Sequence, residues 1–161
     1  AWKAMLVDVH DVPQGESVSY GASWTAEQDS RIGVAAVGYA DGYRRALSNK
    51  GSMLVQGVRV PVVGAVCMDM CMVDLSDVPA AAVGDEVTLI GTQGSERILM
   101  EEVAEQCDTI PHEISTGIGD RPARVYQRAG SPVAVQSKLD RAPIATSAAT
   151  ARDAVVAAGG R

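Results

Sequence analysis

Tyr20 stands in the segment VSYGASWTAEQDSRIG, residues 18–33, and is a candidate for proton transfer. A tyrosine phenol has a pKa of about 10, so it acts as a base near neutral pH only beside positive charge or hydrogen-bond donors. The segment offers no obvious cation next to Tyr20. Taken by itself, Tyr20 is more simply interpreted as an amphipathic side chain at a strand end, with its hydroxyl at the surface.

The run VGAVCMDMCMVDL, residues 63–75, contains thiol and thioether groups, which are the soft ligands that suit Cu(I). On a strand, however, Cys67 and Cys71 would lie roughly 13 Å apart at the usual rise per residue. One ion cannot bridge that distance without a bend, and we predict no metal site. Met68, Met70 and Met72 fall on one face of such a strand, where filling the core is the alternative to a binding role for Met68.

Further segments follow at fixed intervals: VGYADGYRRALSNKG (37–51), VGDEVTLIG (83–91), TIPHEIST (109–116) and RPARVY (121–126). Together with the YG and VCMD elements and in this order, they resemble the C-terminal β-domain of bacterial alanine racemase, a pyridoxal-phosphate enzyme. The resemblance covers residues 2–126, which is most of the chain. The combination of YG, GYADGY and VCMD is specific, whereas each element alone is weak.

The resemblance implies roles for individual residues. Racemisation removes a proton from one face of Cα and returns it to the other, and the cofactor supplies the electron sink that this needs. Tyr20 aligns with the family's tyrosine base, which acts on the L-face opposite a lysine base of an N-terminal barrel. Met68 aligns with a methionine whose backbone N–H contacts the substrate carboxylate, and Tyr39 aligns with a tyrosine at the entrance. In the family the β-domain of one subunit supplies this tyrosine to the barrel of the other, which implies a homodimer.

Some positions depart from the family pattern. His112 stands where many members have a tyrosine near the cofactor phosphate; a histidine could still donate there, but it titrates near pH 6.5 and reaches less far. Ala65 stands where an arginine often precedes the VCMD element. Arg121 and Arg124 keep the basic character of the family's C-terminal motif. These departures concern substrate access and cofactor affinity more than the fold.

No part of the sequence could form the barrel that carries the cofactor-binding lysine. The chain begins at Ala1 directly in strand-like sequence, and we expect it to be a piece of a longer polypeptide that is inactive alone. The parent enzyme would interconvert L- and D-alanine for peptidoglycan precursors, with pyridoxal phosphate bound mainly by the barrel. The alternative is a non-catalytic β-domain, either a dimerisation or interaction module or a gene remnant.

Composition limits the other classes of function. A net charge of −6 argues against nucleic acid as a partner, because phosphate binding needs a basic surface. The 3 cysteines are odd in number and form no CxxC pair, which favours reduced thiols in the cytoplasm. No secretory signal is visible, and no run approaches the ~20 apolar residues of a membrane span.

The hydrophobic pattern predicts an all-β domain, a small β-barrel or sandwich with one short helix. We predict strands over residues 2–9, 18–21, 31–39, 65–75, 86–90 and 121–127, and a hairpin over 53–63 that turns near Gln56-Gly57. Residues 99–107 carry one apolar stripe at helical spacing, although the start lacks a good cap. Residues 1–130 form the predicted domain, and the Ala/Ser/Thr-rich residues 131–161 a poorly ordered tail.

Overall fold

A computed structural model of the protein describes residues 1–137, which fall into two compact units. The first unit is Ala1–Ile118, and the second begins at Gly119. The strands and α-helices of the first unit are β1 (Trp2–Val12), β2 (Ser17–Val18), β3 (Trp24–Thr25), β4 (Ser30–Ala35), β5 (Ser52–Val55), β6 (Val58–Val63), β7 (Cys71–Asp74), β8 (Glu86–Gln93), β9 (Glu96–Ile98), α1 (Met100–Gln106) and α2 (Pro111–Gly117). Short 3-10 helices span Tyr20–Ala22, Tyr39–Asp41 and Arg45–Leu47. Strands dominate, which confirms the all-β prediction.

The main sheet is antiparallel and closes on itself. Its strand order is β1-β4-β7-β6-β5-β8-β9, and β1 also pairs with β8, so six strands form a ring. One end of β1 pairs with β8, from Trp2 to Met5, and the rest pairs with β4, from Leu6 onward. A register shift between Leu6 and Asp8 leaves Val7 as an extra residue. Such a bulge bends the strand, which is what a strand shared between two neighbours requires.

The core inside the ring is aliphatic, as expected of a chain without Phe. Leu54, Leu89 and Val73 are among the side chains with no exposed surface. The aromatic contribution comes from Trp2 and Tyr43, whose rings meet edge to face with centroids 6.1 Å apart. Short strands filled by branched residues therefore suffice to bury a continuous core in this unit.

The predicted hairpin turn is confirmed. Strands β5 and β6 pair directly, and Val55 lies opposite Val58 across the two-residue turn. Gln56 and Gly57 both have positive φ, 51° and 79°. Two left-handed central residues define the turn whose twist matches that of the flanking strands.

The helix predicted over residues 99–107 is confirmed as α1, with Val103 and Ala104 buried. Leu99 precedes it and provides no side-chain cap, also as predicted. The expectation of a single helix is wrong, because α2 follows over Pro111–Gly117. This helix buries only Ile114, so its sequence shows no apolar stripe, although proline at the first helical position is a start signal.

Three predicted strands are shorter than expected. Strand β2 ends at Val18, β4 ends at Ala35 and β7 begins only at Cys71. The residues predicted as strand beyond these ends form loops whose backbone groups bond outside the sheet. Tyr20 and Tyr39 begin 3-10 helical turns in these segments, and Met68 lies in the loop before β7. Within residues 1–137, no helix is long and apolar enough to cross a membrane.

The described part of the second unit contains a hairpin of β10 (Arg124–Arg128) and β11 (Ser131–Gln136). Val125 lies opposite Val135, and the Tyr126 hydroxyl donates a 2.9 Å hydrogen bond to the side chain of Gln136. The hairpin crosses the boundary predicted at residue 130, because the first residues of the predicted tail pair as a strand. The rest of that tail, residues 138–161, lies outside the described residues.

The first unit buries ionisable groups in its core. Burial raises the pKa of the Cys71 thiol from 9.0 to about 12, with smaller contributions from Cys67 and Asp41. Burial also raises the pKa of Tyr43 well above 10.0, with Cys71 and Cys107 adding to the effect. Both groups are neutral in the folded protein, because the interior disfavours their charged forms.

We expect the free energy of unfolding to fall as the pH rises above 9. The unfolded chain releases the Cys71 proton near pH 9.0, whereas the folded chain holds it until about pH 12. The neutral, buried Cys71 thiol therefore contributes its full stability below pH 9, and that contribution is lost between pH 9 and pH 12. Urea unfolding at a series of alkaline pH values measures the slope. The Cys71→Ala variant removes one titrating group and should show a shallower decline. An equal slope in both proteins would contradict the assignment.

Candidate functional site

Tyr20 lies at the tip of the β2–β3 hairpin, where it is 78% exposed. The two strands flanking the tip are fixed by packing, because Val18 and Trp24 rest on a small buried cluster. That cluster consists of Val12, Ala26, Ile32 and Val63. The strands of the hairpin are therefore anchored by packing, while Tyr20 at its tip is exposed to solvent.

The backbone at this tip has an unusual shape. Ser19 has φ 73° and ψ 170°, a region that is essentially reserved for glycine, and Ala22 has φ 48°. Gly21 between them, at φ 71°, adopts a positive φ without a steric penalty. A conformation of this kind persists only where surrounding contacts hold it in place.

Those contacts come from the loop that leads into the VCMD element. Three consecutive backbone N–H groups, those of Gly64, Ala65 and Val66, donate to side chains rather than to a strand. Their acceptors are Asn49 Oδ1 at 2.5 Å, Ser19 Oγ at 2.8 Å and Ser48 Oγ at 2.9 Å, in that order. The loop is thereby joined to the Tyr20 hairpin and to the SNKG segment, residues 48–51.

A second junction joins the same loop to the GYADGY turn. The backbone N–H of Tyr39 donates to the Cys67 carbonyl, and that of Ala40 donates to the Met68 carbonyl, each at 3.0 Å. A Cβ at Gly38 would lie 2.3 Å from the Met68 carbonyl oxygen, so only glycine allows this approach. The turn is closed by Asp41, whose carboxylate accepts a 2.9 Å hydrogen bond from the Gly38 N–H.

The structure thus brings together the segments that carry Tyr20, Tyr39 and Met68. Met68 is 53% exposed and Met70 is 48% exposed. The alternative that these methionines fill the core is therefore wrong for both, and only Met72 packs partly against a buried cluster. Within residues 1–137, neither the Met68 backbone N–H nor the Tyr20 hydroxyl hydrogen-bonds to another residue. Both groups are available to a ligand or a partner.

His112 lies elsewhere, in the first turn of α2, and is exposed. Its carbonyl accepts hydrogen bonds from the hydroxyls of Ser115 and Thr116, each at 2.9 Å. Helix α2 is joined to the GYADGYRR segment, since Arg44 Nη2 donates a 3.1 Å hydrogen bond to the Glu113 carbonyl. The structure therefore connects the His112 helix to the segment that carries Tyr39.

The cysteines are free thiols. Cys67 lies in a loop rather than on a strand, so the strand distance of the sequence argument does not apply to its separation from Cys71. Among residues 1–137, no group of three or more His, Cys, Asp or Glu side chains could hold a metal ion.

The sequence matches the family described as "Alanine racemase, C-terminal domain" over residues 1–126. It is 48% identical to the alanine racemase of Thermodesulfovibrio yellowstonii over 124 residues, covering 77% of this chain and 34% of that protein. The structure is similar to alanine racemase from Bacillus anthracis with bound L-Ala-P, with a TM-score of 0.81 and 39% identity, over 85% of this chain and 35% of that one. It is also similar to alanine racemase from Bartonella henselae with covalently bound pyridoxal phosphate, with a TM-score of 0.68 and 36% identity, over 73% and 32% of the two chains.

The closed antiparallel sheet, with Tyr20 and Met68 exposed on its connecting segments, is thus the fold of an alanine racemase β-domain. The chain belongs to the alanine racemase C-terminal domain family. It spans about a third of the length of the curated relatives that it matches.

The sequence-based prediction assigned no role to Ser19, Ser48 or Asn49. Ser19 precedes the candidate tyrosine, and the other two residues lie in the SNKG segment of a motif that was otherwise considered for Tyr39. Short polar side chains beside glycines are a signal for bonding to backbone. The sequence does not show which backbone groups they reach, because Ser19 and Ala65 are 46 positions apart.

Proposed function

We propose that this chain is the C-terminal domain of an alanine racemase that interconverts L- and D-alanine in the cytoplasm for peptidoglycan precursors. It would act in a homodimer, where it faces a barrel domain that binds most of the cofactor. The observation that carries the proposal is the junction of the Tyr20, Tyr39 and Met68 segments, supported by family membership. These residues match the family pattern and lie on loops that bond to one another.

Tyr20 would take the proton from Cα of L-alanine and return it in the reverse direction. When bound, pyridoxal phosphate supplies the electron sink that makes this proton acidic enough to remove. The Tyr20 hydroxyl lies at an exposed tip, so it can reach a substrate held by a facing surface. The groups that activate it would come from that surface, since a phenol needs neighbouring positive charge or donors to act as a base at neutral pH.

The other candidate residues would bind and orient. The Met68 N–H would donate to the substrate carboxylate, which is the charge-assisted kind of hydrogen bond. Tyr39 is 45% exposed beside Met68 and would line the entrance. His112 would donate to the cofactor phosphate from the first turn of α2. Each role uses a group that the fold leaves accessible.

A domain exchange tests the proposal. The matching C-terminal part of the Thermodesulfovibrio yellowstonii enzyme is replaced by this chain, and D-alanine formation is followed with D-amino-acid oxidase. We expect racemisation by the chimera and none by the isolated chain. The visible absorption of bound pyridoxal phosphate reports whether the chimera has assembled.

A chimera that binds the cofactor and forms a dimer but does not racemise alanine would contradict the proposal. That result would favour the non-catalytic alternative, a dimerisation or interaction module or a gene remnant. The unmodified T. yellowstonii enzyme, purified in parallel, shows that the assay and the cofactor loading work.

A further inference from the structure

We infer that Ser19, Ser48 and Asn49 form a hydrogen-bonded clamp that positions Tyr20 relative to Met68; this inference rests on the proposed function. The three are positioning residues, because they act on the backbone of the two loops and not on a substrate. The clamp is defined by the three side chains and by the backbone N–H groups of residues 64–66 that they accept from.

The first element of the clamp is the double contact between Ser19 and Ala65. Ser19 Oγ accepts from the Ala65 N–H at 2.8 Å and lies 3.4 Å from the Ala65 carbonyl oxygen, to which it donates. Gly64 stands against the same residue, since a Cβ on it would lie 2.4 Å from the Ser19 Cβ. The residue immediately before Tyr20 is therefore fixed to the loop by bonding and by close packing.

The second element holds the far end of the Tyr20 tip. Asn49 Oδ1 accepts from the Gly64 N–H, and Asn49 Nδ2 donates to the Ser23 carbonyl at 2.9 Å. Asn49 has φ 54°, a left-handed conformation that asparagine tolerates. Residues 19 and 23, which bracket the tip, are thus tied to the two adjacent residues 64 and 65.

The third element is Ser48, which fixes the part of the loop between Ala65 and Met68. Ser48 Oγ accepts from the Val66 N–H and donates to the Arg45 carbonyl at 2.6 Å. The next two carbonyls of the loop, those of Cys67 and Met68, accept from the GYADGY turn. Every residue from 64 to 68 therefore has a backbone group bonded to another segment, and no free stretch separates the clamp from Met68.

This arrangement explains why Ser19 keeps a strained conformation. Its φ of 73° and ψ of 170° are unfavourable for a residue other than glycine. Two hydrogen bonds to Ala65 offset that cost. These bonds fix the direction in which Tyr20 points. Direction matters because a displacement of a catalytic group by about 1 Å can lower the reaction rate by about 100-fold.

The purified chain itself provides the first test, without cofactor or barrel. Its 4 tyrosines are labelled as 3-fluorotyrosine, so that Tyr20 is read by fluorine NMR while buried Tyr43 reports on folding. Amide hydrogen exchange of Ala65 is measured in parallel. The Ser19→Gly variant removes the hydroxyl from a backbone that glycine adopts freely. Ser17→Ala is the matched control, since Ser17 bonds to Thr25 in the same hairpin at 2.8 Å and lies outside the clamp.

We expect exchange at Ala65 to become about tenfold faster in Ser19→Gly, because one protecting hydrogen bond is lost. The Tyr20 resonance should move or sharpen while that of Tyr43 stays, and Ser17→Ala should change neither. Unchanged exchange at Ala65 with an unchanged Tyr20 resonance would overturn the clamp. If Ser19→Gly does not fold, Asn49→Asp decides, because it keeps an acceptor for Gly64 and replaces the donor to Ser23 by a carboxylate oxygen that the Ser23 carbonyl repels. The Tyr20 resonance moves if the clamp holds Tyr20, and stays if it does not.

The active chimera separates positioning from simple loss of folded enzyme. In Ser19→Gly the proton transfer by Tyr20 becomes slower, so the α-deuterium isotope effect should rise with L-alanine and fall with D-alanine. A smaller amount of folded enzyme lowers the rate but changes neither isotope effect, and that outcome would overturn the positioning role. A parent chimera that binds the cofactor and dimerises but is inactive would contradict the proposed function alone, since the NMR result on the isolated chain does not depend on it.

Discussion

Replacing Tyr20 with Phe is expected to lower L-alanine racemisation by the chimera by about 10²–10⁴-fold, the usual contribution of a general acid–base group. The substitution removes one hydroxyl from a side chain that is 78% exposed, so it should change the free energy of unfolding by less than about 0.5 kcal/mol. Exchange of the α-deuterium with solvent identifies the affected face: washout from L-alanine should be suppressed, while washout from D-alanine, which the facing lysine would perform, should continue.

A matched control uses another exposed tyrosine. Tyr126→Phe removes the hydroxyl that bonds to Gln136 in the second unit and should leave both washout rates unchanged. Turnover of L-alanine by Tyr20→Phe at the rate of the parent chimera would end the assignment of Tyr20 as the base. Equal suppression of washout from both enantiomers would show that the substitution disturbs substrate or cofactor binding and not one face.

The Gly38→Ala substitution is expected to destabilise the first unit by about 1–3 kcal/mol, the usual cost of overpacking. The added Cβ would lie 2.3 Å from the Met68 carbonyl oxygen and 2.4 Å from that of Cys67. These are backbone atoms, so the VCMD loop or the GYADGY turn must move. The φ of Gly38 is −149°, which alanine adopts without strain, so the clash is the cause. Urea unfolding measures the change, and racemisation by the chimera should fall with it.

Gly15→Ala separates this clash from backbone strain. Gly15 has φ 86°, and no atom lies within 4 Å of a Cβ built on it, so alanine there suffers only the penalty of a left-handed conformation, about 1–2 kcal/mol. Gly15 lies outside the joined segments that carry Tyr20, Tyr39 and Met68. Its variant should therefore keep the activity of the parent chimera. If Gly38→Ala also kept full activity, close contact between the two loops would be unimportant for catalysis.

The strands and the hairpin could be predicted because their causes are local. The β5–β6 turn follows from Gln56-Gly57 between branched residues, and α1 follows from an apolar stripe at helical spacing. Helix α2 has no such stripe, since only Ile114 is buried. The hydrophobic pattern predicted a barrel or a sandwich and could not choose between them, because alternation along β1 gives no sign that its two ends pair with different strands.

The family motifs named candidate residues but gave no indication of their geometry. Tyr20, Tyr39 and Met68 were identified from the family motifs, but all three were expected on strands. The strands end where backbone N–H groups bond to the side chains of Ser19 and Asn49. Periodicity describes which face a side chain takes along a regular element. It cannot indicate that a polar side chain from a distant segment has replaced the neighbouring strand.

Closure of the sheet also determines how this unit can associate. A ring of paired strands has no open flank, and β9, which extends beyond it, is only 3 residues long and carries Glu96 and Arg97. A partner protein therefore gains little by adding a strand of its own, and accidental edge-to-edge aggregation is disfavoured for the same reason. The loops that carry Tyr20, Tyr39 and Met68 are therefore a surface of this unit that a partner can contact without pairing with the ring.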